Sequence, residues 1–108
     1  MISVTFYKDS SDQFVGFKSK GHAGADVYGK DIVCAAVSVL VINTINSIEK
    51  FTDDDFTCET DESSGEISFH LKGKLSNESN LLLNSLYLGI KDVREDHEQY
   101  ITLRIKEV

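Results

Sequence analysis

The chain has no proline, and no repeat or low-complexity tract interrupts its 108 residues. With no linker signal and no surplus length for a second core, a single domain spanning 1–108 is expected. Cations are scarce: Lys and Arg number 11 against 18 Asp and Glu, a formal net charge of −7. Phosphate binding relies on clustered Lys and Arg, so direct nucleic-acid contact is not expected and a basic peptide or protein is the better match. Cysteine is limited to Cys34 and Cys58, and the alternating Met1–Tyr7 segment, followed by Lys8-Asp9-Ser10, does not read as an export signal. A structural disulfide is therefore not expected, and the chain reads as cytoplasmic. The longest apolar run, Ile32 to Ile42 with Ser38 inside it, falls far short of the ~20 residues that span a bilayer, so no membrane association is expected.

Against those absences stands clear periodicity. Ile2, Val4 and Phe6 alternate with polar neighbours, the Lys8–Asp12 stretch turns the chain, and a second alternating run covers Phe14 to Lys20, which together predict a β-hairpin. A helix is expected from Asp31, a good N-cap type, to about Lys50. Its first three turns are apolar almost all round, so it must be covered on more than one side, by the sheet and by another helix or another subunit. Phe56, Cys58 and Thr60, a turn at Asp61–Gly65, then Ile67, Phe69 and Leu71 predict a second hairpin. Ser76 can cap a second helix with Leu82, Leu83, Leu86, Tyr87, Ile90 and Val93 at helical spacing, and Tyr100–Glu107 alternates as a final half-buried strand. The predicted order is ββαββαβ: an α+β two-layer sandwich, a largely antiparallel sheet with two helices packed on one face.

The most unusual stretch joins glycine punctuation at Gly21, Gly24 and Gly29 to a thiol-bearing helix at Cys34. With Asp31 as the cap, Cys34 sits in the first turn, where unsatisfied N–H groups and the helix dipole favour a thiolate and where those groups can also bind an oxyanion. The competing reading makes Cys34 a buried small hydrophobe. His22, across the glycine-rich loop, is a base candidate if chain reversal brings it to the thiol, or else an exposed loop histidine. Gly24–Lys30 nearly matches a phosphate-binding loop, but Asp31 stands where a magnesium-binding hydroxyl is needed, so nucleotide binding is the weaker alternative. Cys58 shares strand parity with Phe56 and is expected to point to the core, His70 to solvent, and His97 to a surface turn. These residues show no zinc-ligand spacing, and no cofactor or metal is called for. The acidic runs Asp53–Asp55, Glu59–Glu66 and Glu95–Glu98 read as solvated turns.

Gly21-His22-Ala23-Gly24, then Gly29, then Asp31-Ile32-Val33-Cys34-Ala35-Ala36-Val37-Ser38 resembles the signature of the bacterial ribosomal-processing cysteine protease family, Prp. The resemblance implies an endopeptidase that removes a short N-terminal extension from a large-subunit ribosomal protein, with His22 and Cys34 as the catalytic pair. It also implies supporting places for Gly21, Asp31 and Ser38, and a homodimer. Asp31 can orient His22, bind a basic group of the substrate or cap the helix, the last being expected first; Ser38 can bound the site or satisfy a backbone carbonyl. The loop from Ala23 to Lys30 is expected over the site, ordering when substrate arrives. A ribosome-associated binding protein without catalysis is the remaining alternative.

Overall fold

A computed structural model describes residues 1–21 and 28–108, with side chains outside 28–31. The elements are β1 (Ile2–Lys8), β2 (Phe14–Lys20), α1 (Tyr28–Phe51), β3 (Asp55–Asp61), β4 (Glu66–Lys72), α2 (Asn77–Asp96) and β5 (Ile101–Glu107). This is the ββαββαβ order expected from periodicity. The five strands form one sheet in the order β3-β4-β2-β1-β5. Among the described residues only the β1–β5 pair is parallel, because α2 carries the chain back across the sheet before β5 begins.

Alternation puts Ile2, Val4 and Phe6 of β1 on the helix-covered face, with Phe69 of β4 and Ile101 of β5. In β2, Phe14 and Phe17 are both buried there although they stand three positions apart, an odd step. A bulge absorbs the odd step: Tyr7 pairs with Gly16 but Lys8 with Phe14, leaving Val15 extra. The rings of Phe6, Phe14 and Tyr87 meet at 5.1 to 5.3 Å, and Phe69 bridges Phe17 and Phe56 at 5.3 and 4.9 Å. Such aromatic contacts contribute beyond the area they bury.

The helices complete the second layer. Val33, Val37, Val41, Thr44 and Ile48 of α1 recur at helical spacing and are buried, as are Ser79, Leu83, Leu86 and Ile90 of α2. The helices pack against each other at Gly89, where an added Cβ would lie 3.1 Å from a Leu40 methyl group. Ser76 caps α2 by accepting the Ser79 N–H at 3.1 Å. Asp54 accepts both the Ser76 hydroxyl at 2.6 Å and the Ser76 N–H at 3.1 Å, tying the entry of β3 to the start of α2. Those bonds hold the Asp54 carboxyl below its ordinary value, the Ser76 hydroxyl contributing most. Asp54 is thus a structural tie, where its charge run had suggested a solvated turn.

Two expectations need correction. Asp31 does not cap α1, because the helix starts at Tyr28 and Asp31 lies within its first turn. Cys58 shares the helix-side face with Phe56 as its parity required, yet it is exposed. β3 is the edge strand, and parity fixes only which way a side chain points, not whether anything covers it.

Candidate active site

Cys34 and Ser38 are one helical turn apart on α1 and line the same cleft, whose volume is about 410 Å³. The opposite wall is the end of the second hairpin: Thr60 and Asp61 from β3, Glu66 and Ile67 from β4. Cys34 is half-buried, touching the apolar core on one side and the cleft on the other. A nucleophile needs that combination, since packing limits its rotamers while one face stays open to a substrate. Ser38 is exposed and opens into the same space.

The helix start changes the argument for Cys34. Six residues past Tyr28, it stands in the second turn, and the N–H groups without helical partners belong to residues 28–31. Dipole stabilisation falls off within the first turn, so position along the helix no longer supports a thiolate, and the helix-start N–H groups lie a turn away from the thiol.

Gly21 lines the cleft where β2 ends. Its φ is +124°, and a Cβ there would stand 2.6 Å from the Met1 carbonyl oxygen and 3.1 Å from the Ile2 Cα. Only glycine fits a backbone that turns this close to the start of β1. His22 and the loop residues Ala23 to Val27 lie outside the described residues, as do the side chains of Tyr28 to Asp31, including the Asp31 carboxylate.

The hairpin wall is negative. Asp61 accepts the Ser63 hydroxyl at 2.7 Å and the Ser63 N–H at 3.0 Å, and these bonds hold its carboxyl below the ordinary value. Glu66 pairs with Lys18 at 3.1 Å, and the carboxylate raises the lysine's pKa in turn. Reading Glu59–Glu66 as a solvated turn missed this wall. The register supplies the missing signal: Asp61 and Glu66 are direct cross-strand partners, and like charges so placed are unfavourable without a reason.

The other candidates lie elsewhere. The Cys58 thiol is pushed up by partial burial. His70 is exposed as expected, its ring tilted against Tyr7 at 5.3 Å between centroids and 3.3 Å from the Ser68 hydroxyl. His97 is the half-buried C-cap of α2, its N–H bonded to the Arg94 carbonyl. Among the described residues no three His, Cys, Asp or Glu side chains gather as a metal site. The phosphate-loop alternative also loses its context, since β2 runs antiparallel to both neighbours and that motif follows a strand of a parallel sheet.

Residues 1–102 match the family model described as cysteine protease Prp. The chain belongs to this family. It is accordingly a cysteine peptidase. The ribosomal processing cysteine protease Prp of Staphylococcus aureus is 27% identical over 108 residues, covering 98% of this chain and all of the relative. The S. aureus enzyme solved in complex with a substrate peptide superposes with a TM-score of 0.91 at 24% identity, over 98% of this chain and 100% of that one. A protein of Streptococcus mutans superposes with a TM-score of 0.89 at 30% identity, over 100% and 99% of the two chains. Prp neighbours thus share the two-layer architecture built up from the strands and helices above.

Proposed function

We propose that the protein is a cytoplasmic endopeptidase that removes a short N-terminal extension from a large-subunit ribosomal protein, with Cys34 as nucleophile and His22 as general base. One observation supports this most: the Cys34 thiol is held by the core yet opens into a cleft large enough for peptide side chains. In the reaction, His22 takes the Cys34 proton and the thiolate attacks the scissile carbonyl. The imidazolium then gives its proton to the departing amine, which becomes the new N-terminus of the ribosomal protein. Water, deprotonated by His22, attacks the remaining thioester and frees the extension as a carboxylate with the thiol restored. Gly21 fixes the chain direction next to His22, and Ser38 bounds the cleft one turn beyond the nucleophile.

The protein acts as a homodimer in this reading. Ile32, Val39 and Ile42 recur along the outer side of α1 with exposures of 46%, 67% and 50%. That stripe is what a second copy would cover.

Cleavage of a peptide spanning the junction between the extension and the mature start tests the proposal. Cys34→Ala and His22→Ala are each expected to abolish turnover with the fold intact by circular dichroism; undiminished cleavage by both variants would refute it.

A further inference from the structure

A second cavity, of about 300 Å³, lies against the same hairpin. Lys18, Ser68 and Glu59 contribute to it, and the register puts these three in one row across β2, β4 and β3. The row faces away from the helices, because Phe17, Phe69 and Cys58, their immediate neighbours in sequence, point to the helix side. Thr60, Asp61 and Glu66 line both this cavity and the Cys34 cleft. The end of the hairpin is therefore a common wall, with the thiol on one side and the open-face cavity on the other.

The charges of that wall are unevenly answered. Glu66 has a cation from its own chain, Lys18 at 3.1 Å. Asp61 is engaged by Ser63, which satisfies hydrogen bonds but leaves the charge in place. Glu59, two residues along β3 and so about 7 Å from Asp61, has no ion-pair partner among the described residues. Asp61 and Glu66 also face each other directly across the strand pair, an arrangement that costs stability unless a cation offsets it. The cavity already accommodates one ammonium group and has carboxylates for a second.

We propose that this open-face cavity is a substrate subsite that receives a Lys or Arg side chain of the peptide, beyond the residues flanking the scissile bond, with Glu59 as its recognition residue. The proposal rests on the Cys34 cleft being the site of cleavage. An extended peptide leaving that cleft over the hairpin end passes from one cavity to the other, and its cation then sits between Glu59 and Asp61 beside the Lys18–Glu66 pair. Such a contact selects among peptides and fixes their register on the enzyme.

The test uses two quenched-fluorescence peptides spanning the extension junction, identical except that norleucine replaces every Lys and Arg outside the scissile residues in one of them. KM is measured for the unaltered enzyme, for Glu59→Gln and for Glu95→Gln, an exposed position on α2. Binding of both peptides to the Cys34→Ala variant, with and without Glu59→Gln, is followed by fluorescence anisotropy, a readout independent of turnover. The unaltered enzyme and Glu95→Gln should prefer the basic peptide by roughly fivefold or more, and Glu59→Gln should reduce that preference to about twofold or less, in KM and in binding alike. A preference that survives Glu59→Gln, or no preference at all, overturns the subsite. Should the preference appear in binding while no peptide is cut, the subsite stands and the proposed cleavage of the ribosomal-protein extension at Cys34 falls.

Discussion

The two helices share one layer and divide the work of the molecule. α2 is built for stability: a serine cap tied to Asp54, an apolar stripe of Leu83, Leu86 and Ile90 against the sheet, and a polar outer side interrupted only by Leu81 and Leu88. α1 has a comparable buried stripe, but its remaining surface carries the thiol on one flank and uncovered aliphatic side chains on another. Stability needs one face of a helix. The other faces of α1 are free for the nucleophile and the partner surface proposed above, and a helix left uncovered on one side is what that division predicts.

The comparison breaks most sharply at Cys34. Cys34→Ala should lower kcat/KM by at least about 10³-fold while moving the unfolding free energy by no more than about 1 kcal/mol, since one small half-buried side chain is truncated. Steady-state kinetics beside urea unfolding reads both. The converse change is Leu86→Ala in α2, which should cost about 2–5 kcal/mol and, at temperatures where the variant stays folded, leave kcat/KM near that of the parent. A Leu86→Ala enzyme folded but inactive would erase the division between the helices.

On the outer side of α1, Ile42→Asp should weaken self-association by at least about 100-fold, seen as a shift from dimer to monomer in analytical ultracentrifugation. A parent protein already monomeric at tens of micromolar would remove the partner surface from the account. The smallest effect is expected at the α2 cap. Asp54→Ala should cost about 1–2 kcal/mol. Because the folded-state pKa of Asp54 is lowered, its contribution is present above the ordinary carboxylate pKa and is lost as pH falls through the lowered value. The gap between parent and variant in chemical denaturation should therefore be constant near neutrality and narrow in acid.

The same contrast explains what was legible in the sequence. Ser76 followed by the Leu and Ile spacing of α2 gave cap and stripe together, because both are local signals. Asp31 misled at α1 since the dipole favours a carboxylate throughout the first turn as well as at the cap, so residue type alone does not locate the helix start. Order, alternation and helix content followed from periodicity, whereas the strand order β3-β4-β2-β1-β5 is a long-range property. Hence the direction of Cys58 was readable and its exposure was not. The cleft wall was hidden for the same reason: Asp61 and Glu66 look like turn charges until the register sets them opposite each other beside Cys34. The Prp signature around His22 and Cys34 was readable as a motif, and its Gly21, Cys34 and Ser38 line the cleft closed by the hairpin end.

The central claim is that Cys34 is an activated nucleophile, and the chain contains its own reference thiol in Cys58, exposed and pushed up by partial burial. The rates at which iodoacetamide alkylates the two cysteines at pH 7, followed by peptide mass spectrometry in the parent and in His22→Ala, test it directly. Cys34 should react faster than Cys58 and faster than a model thiol, and His22→Ala should bring it down to the model rate. A Cys34 that reacts no faster than the model thiol, or one indifferent to the loss of His22, would contradict the account.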